Sequence, residues 1–152
     1  MRTIQLKKIL NEHCIQFIEK KQMDLSLSIE DANSSLHSAS NSTAGDKHDT
    51  SRAMMHLEIE KKSKQLNEVV QLKKLIPILI DNSQQKSFGV GTVVETNAGS
   101  FYMSFNAGKK EIEGQSFTFI SLASPLAQAF KNNLNKKEFQ FMQKTYTILK
   151  TF

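Results

Sequence analysis

Ile15-Gln16-Phe17-Ile18-Glu19-Lys20-Lys21-Gln22-Met23-Asp24-Leu25-Ser26-Leu27-Ser28-Ile29-Glu30-Asp31-Ala32-Asn33-Ser34-Ser35-Leu36 carries one seam, formed by Ile15, Ile18, Gln22, Leu25, Ile29, Ala32 and Leu36. The seam residues are separated by 3, 4, 3, 4, 3 and 4 positions. That spacing keeps one line of a helix against a partner helix, and Gln22 is its one polar position. A second stripe passes through Met55, Ile59, Leu66, Val69 and Ile76, interrupted by Lys62 and Lys73. Pro77 ends it, because proline disfavours helical geometry at Ile76. Between the stripes lies Ser38-Ala39-Ser40-Asn41-Ser42-Thr43-Ala44-Gly45-Asp46, which is small, polar and turn-prone. The spacing predicts a long antiparallel coiled-coil hairpin with arms of about 45 Å.

The second half follows a different pattern. Residues 1–76 hold no proline and one glycine, whereas residues 77–152 hold both prolines, five glycines and nine of the ten phenylalanines. Asp81-Asn82-Ser83-Gln84-Gln85-Lys86 reads as a linker, so the hairpin is assigned to 1–80 and a second domain to 81–152. Strands are expected at Val90 to Thr96, Phe101 to Phe105, Lys110 to Glu113 (a short edge), Gln115 to Ile120, Glu138 to Met142 and Thr145 to Phe152. Ser124 is a good N-cap and Pro125 suits a first helical turn, so a short helix runs to Phe130. The expected class is α+β, an antiparallel β domain with one short helix behind the hairpin.

Composition limits what such a chain does. With 39% hydrophobic and 23% charged residues, 152 residues can build a packed core. No apolar run approaches the roughly 18–20 residues that cross a bilayer, and the N-terminus lacks an apolar signal core. The single Cys14 fits a reducing compartment. A cytoplasmic protein without membrane contact is expected. The formal charge of +5 comes from lysines mixed with acids along the helices, as in Lys61, Lys62 and Lys64 beside Glu58 and Glu60, which describes a solvated face. No basic run interleaves with aromatics in the manner that stacks single-stranded bases.

Few residues suggest chemistry. Asp46 and Asp49 stand three apart near the hairpin tip, with Lys47, His48, Thr50 and Arg52 beside them. Two readings stay open. The pair could offer oxygens to a magnesium ion, whose octahedron water and phosphates would complete. Equally, these acids, or Thr50, could cap the second helix and complement its dipole. His13 and Cys14 are adjacent, but helical neighbours point apart, so Cys14 is expected to be a small apolar filler. His37, His48 and His56 lack the spacing of a zinc site, and no phosphate-binding glycine loop is present.

Together these residues resemble the bacterial Gre-type transcription elongation factors. Gly45-Asp46-Lys47-His48-Asp49-Thr50 stands in the register of the family's tip motif Gly-Asp-x-x-Glu-Asn. Ile120-Ser121-Leu122-Ala123-Ser124-Pro125-Leu126-Ala127-Gln128-Ala129-Phe130 matches its Ile-Ser-x-x-Ser-Pro-Leu-x-x-Ala-Leu segment nearly throughout, and Gly91-Thr92-Val93-Val94 looks like its Gly-Ser-x-Val strand. The resemblance implies an FKBP-like C-terminal domain and a cytoplasmic accessory factor of RNA polymerase, a monomer and not an enzyme in itself. The coiled-coil tip would enter the secondary channel and promote or modulate cleavage of backtracked RNA. Asp46 and Asp49 would assist catalysis by holding Mg2+ shared with the polymerase, and the RNA 3′ end would be met only there. Ile120, Ser121, Ser124, Pro125 and Leu126 would lie near the surface that docks on the polymerase.

Departures from the family pattern keep other readings in view. Asp49 replaces the usual Glu, Thr50 the usual Asn, and Arg52-Ala53 an acid and an aromatic. A Gre-like regulator that inhibits without cleaving is one alternative, and a coiled-coil adaptor or oligomerisation protein is another. Prolyl isomerase activity is disfavoured, since the chain has no Trp to floor the aromatic pocket.

Overall fold

The computed structural model describes residues 2–40, 46–85 and 87–152, and the side chains of 39, 40 and 46–49 fall outside that description. The fold is α+β. It comprises α1 (Arg2–Ser40), α2 (Asp46–Lys73), α3 (Leu75–Asp81), β1 (Val93–Thr96), β2 (Gly99–Ser104), β3 (Lys109–Ile112), β4 (Gln115–Ser121), α4 (Pro125–Asn132), β5 (Glu138–Phe141) and β6 (Lys144–Thr151). Among the described residues no helix is long and apolar enough to cross a membrane. The chain divides into two compact units, Met1–Gln16 with Lys74–Phe152, and Phe17–Lys73. Composition placed the boundary at 80/81. The division falls elsewhere because the start of α1 packs on the sheet.

In the unit Phe17–Lys73, the covered positions of α1 are Phe17, Ile18, Gln22, Leu25, Ser28, Ile29, Ala32 and Leu36. These include every expected seam residue of that unit. On α2 the covered positions are Arg52, Met55, Ile59, Lys62, Leu66, Val69 and Leu72. Two lysines thus part ways. Lys73 is exposed, since the stripe steps from Val69 to Leu72. Lys62 lies in the stripe, its aliphatic stem covered and its head satisfied. Its amine donates to Ser28 Oγ and pairs with Glu58 Oε1 at 2.9 Å.

Pro77 does not end the helical region. α2 stops at Lys73, and α3 restarts at Leu75 with Pro77 in its first turn, where a missing N–H costs nothing.

The sheet has six strands in the order β3-β4-β2-β1-β6-β5. It is mixed, not antiparallel throughout, because β2 and β4 run parallel from Ser100↔Phe117 to Ser104↔Ser121. The cause is the β3–β4 hairpin. Its turn, Glu113-Gly114, has φ of 51° and 77°, the left-handed pair of a tight two-residue connection. The hairpin lands with β4 inside, next to β2, and leaves β3 as the edge. Gly91, at φ +96°, enters β1 where a Cβ would come within 3.2 Å of Asn82 Cβ, so glycine is required there.

Both faces of the sheet are covered, since residues alternate across a strand. Val94, Phe101, Met103, Ile120 and Tyr146 meet Ala127 and Phe130 of α4. The opposite face presents Val93, Tyr102, Phe117 and Phe119, all nearly inaccessible, and receives the first turns of α1. Lys7, Leu10, Asn11 and Cys14 form that buried face of α1. They are spaced to share one side of a helix.

Candidate functional site

The acidic pair occupies the start of α2. Positions 46 and 49 stand one turn apart in its first turn, with Lys47 and His48 between them. The side chains of all four lie outside the described residues, as does Gly45 altogether. Arg52 belongs to the half-covered stripe of α2, and its buried Nε has no hydrogen-bond partner among the described residues. Thr50 is exposed.

The segment Ile120 to Phe130 forms the corner between β4 and α4. Its serines have local work. Ser121 O accepts from Ser124 N at 3.0 Å, and Ser121 Oγ accepts from Ala123 N at 3.2 Å. Ser124 is the N-cap, its Oγ accepting from Ala127 N at 3.2 Å. Gln128 Nε2 donates to Leu122 O at 2.8 Å and closes the corner. Ile120 turns inward and joins the core beneath α4. What the corner offers to solvent is Ala123, Pro125 and Gln128, with Leu122 and Leu126 half-exposed. Replacing Ser124 by alanine is expected to lower stability by about 1 kcal/mol, and by glycine only a few tenths. Urea denaturation read by tyrosine emission checks this, since both tyrosines, Tyr102 and Tyr146, lie in the sheet unit.

The adjacent His13 and Cys14 point to different partners. The His13 ring donates from Nε2 to Ala107 O at 2.9 Å and packs on Phe119 at 4.4 Å between centroids. Cys14 is fully buried, and desolvation pushes its thiol up to about 11 against an opposing hydrogen bond with Ser104. A thiol so placed supplies no thiolate at neutral pH and serves as core. Among the described residues no three His, Cys, Asp or Glu side chains converge to hold a metal.

Sequence reasoning missed two features of the sheet unit. One is the polar row on α1. Asn11 is 6% exposed, its amide donating to Leu79 O at 3.4 Å while its Oδ1 accepts from the Tyr102 hydroxyl. Lys7 is buried too, its amine 5.8 Å from the Phe152 ring centroid, and desolvation lowers its pKa. Polar letters gave no hint of burial. The other is a groove of about 380 Å³ under the first turns of α1, where Leu6 and Ile9 face Ile112 and Phe152 beside Glu95 and Lys150. Its rim ion pair, Arg2 to Glu113 at 3.6 Å, is exposed and adds little. Its lining is mixed, with Thr3, Gln5, Gln115 and the charged Glu95 and Lys150 beside the apolar side chains.

Charge is divided unevenly. The sheet unit holds twelve Lys and Arg against six acids, a net +6, whereas Phe17–Lys73 holds eight against nine, a net −1. No protein-family model matches the chain, no curated protein matches it, and no solved structure matches it.

Proposed function

We propose that this chain is an accessory factor of RNA polymerase on the Gre-type plan, one that presents positions 46 and 49 to the polymerase's secondary channel. On this reading Phe17–Lys73 is an antiparallel coiled-coil hairpin and the sheet unit is FKBP-like. One observation carries the proposal. Both helices bury heptad-spaced stripes, and the acidic pair falls in the first turn of α2, just past the end of α1. A hairpin of this kind places such a turn at its free end, where few neighbours compete for the carboxylates.

Two carboxylates one turn apart suit Mg2+, which typically takes one or two protein carboxylates and completes its octahedron with water and phosphate. Asp46 and Asp49 would hold the ion jointly with the polymerase, whose metal site would supply the chemistry of RNA hydrolysis. The β4–α4 corner, with Ala123 and Pro125 exposed, would dock on the channel rim.

The test is RNA cleavage in a backtracked elongation complex of the host polymerase, comparing the native chain with the double change Asp46→Ala and Asp49→Ala. Cleavage stimulated by the native chain is expected to fall about 10²-fold or more in the double variant, as losing several kcal/mol of metal-centred stabilisation requires. Tight binding without stimulation would assign the chain as an inhibitor or regulator of the same shape. Absence of binding would overturn the polymerase reading and favour an adaptor.

A further inference from the structure

The positive charge of the sheet unit gathers at its C-terminal end. From Pro125 onward there are five lysines, Lys131, Lys136, Lys137, Lys144 and Lys150, and one acid, Glu138. All five lysines are exposed. One of them, Lys144, stands over an aromatic cluster, and three more flank the elements that build it along the chain. Phe130 and Phe139 meet edge-on at 5.6 Å, and Phe139 stacks on Tyr146 at 5.7 Å. Lys131 follows Phe130 in the last turn of α4. Lys136 and Lys137 lead directly into β5. The Lys144 amine stands 5.6 Å over the Tyr146 ring.

The outer part of this cluster is open. Phe139 and Phe141 are half-buried on β5, the terminal strand of the sheet. Phe141 lies opposite Lys144 in the hairpin register, packs on the edge of the core cluster with part of its side chain exposed, and makes no ring–ring contact among the described residues. Met142, next to it at the turn, is 84% exposed. The one acid, Glu138, neighbours Phe139 and so points to the other face of the strand. Read along the chain, no basic–aromatic surface was evident. It is made by folding β5 against β6 and bringing the end of α4 beside them.

We propose that this β5–β6 face, with Phe141 and Lys144 at its turn end, Lys136 and Lys137 at the start of β5 and Lys131 at the end of α4, binds single-stranded nucleic acid. Lysine ammonium groups take up phosphates as point charges, and an accessible ring accepts the face of any base. Duplex offers the phosphates but hides its base faces, leaving Phe141 and Met142 unused. An acidic protein would likewise need the lysines and not the ring. Lysines beside an edge strand also discourage pairing with other sheets, which would account for Lys136 and Lys137 but not for Lys131 on the helix or the half-exposed ring of Phe141 beside Lys144. The proposal stands on the sheet unit alone and does not depend on the polymerase reading.

The test is fluorescence anisotropy with the full chain and labelled oligouridylate or oligothymidylate of about twelve nucleotides, with heparin as a base-free polyanion. Saturable binding to at least one oligonucleotide is expected at about 50 mM salt, weakening roughly 20-fold at about 200 mM if three phosphates are neutralised. Reversing Lys136, Lys137 and Lys144 to Glu is expected to weaken it tenfold or more, with the melting transition lowered only slightly, since all three are exposed and only Lys144 makes a contact, over Tyr146. Phe141→Leu, which keeps the packing, should weaken oligonucleotide binding about tenfold and leave heparin binding as it was. RNA preferred over DNA, or the reverse, would identify the strand chemistry, and either supports the proposal. Three results would overturn it: no binding at low salt, binding that survives the charge reversal, or equal loss of heparin and oligonucleotide with Phe141→Leu without effect. The last would hand the face to an acidic protein.

Discussion

Phe130→Ala is expected to cost the sheet unit about 3–5 kcal/mol, the range for deleting a fully buried aromatic ring. Phe130 is 0% exposed and is the centre of the cluster beneath α4. Its ring meets Phe101 at 5.1 Å, Phe139 at 5.6 Å and Tyr146 at 5.7 Å. Those contacts join β2, β5 and β6 to the helix, so a cavity at this point is shared by three strands and cannot collapse by moving one of them. A loss of this size is a large fraction of what a small domain has. Urea denaturation followed by tyrosine emission should therefore show the midpoint falling steeply. Phe130→Leu keeps most of the volume and should recover most of the loss. The helical signal provides the contrast. Phe17–Lys73 is a separate compact unit, so much of the helical circular dichroism should persist where the tyrosine transition has already passed. A cost below about 1 kcal/mol would mean that α4 is not anchored as described.

The two units were legible in the sequence to different depths. The stripe from Ile18 to Leu36 could be read because a heptad repeat needs only local spacing, and burial follows it position by position. Lys62 could not, since a long stem that hides in the stripe while its amine finds Ser28 is written with the same letter as a solvated lysine. Strands announced themselves through alternation and turns, and Ser124-Pro125 announced the start of α4. The parallel pairing of β2 with β4 was illegible, because strand order depends on where the β3–β4 hairpin docks and not on the pattern within any strand. The first turns of α1 carried no expectation for a related reason. Lys7 and Asn11 are polar letters with no apolar spacing to mark them, yet the sheet supplies an aromatic ring for one and a hydroxyl for the other. Of the candidate site, positions 46 and 49 could be read as one turn of helix from their spacing. Ile120 could not be told from a surface residue by a motif that also builds a corner.

Asn11 is where that illegible packing can be measured. Asn11→Ala is expected to cost about 2–3 kcal/mol, because the Tyr102 hydroxyl is left buried without its acceptor while the amide also leaves Leu79 O. Burial raises the Tyr102 pKa above its ordinary value, so the hydroxyl is protonated at neutral pH and must act as the donor. Tyr102→Phe alone should cost about 1–2 kcal/mol, since the ring stays in its slot against Phe119 at 5.8 Å and only the hydrogen bond is lost. In the double variant no hydroxyl remains to be orphaned, so adding Tyr102→Phe to Asn11→Ala should cost almost nothing further. The coupling between the two sites should then be about 1–2 kcal/mol, the size expected for partners in one buried network. Tyr146 emission still reports the sheet unit in every variant of the cycle. Additive costs would show that the α1–sheet contact does not pass through this pair. Strong coupling would identify Asn11 as the residue by which an N-terminal helix segment, 91 positions away in sequence, is fixed to the second strand.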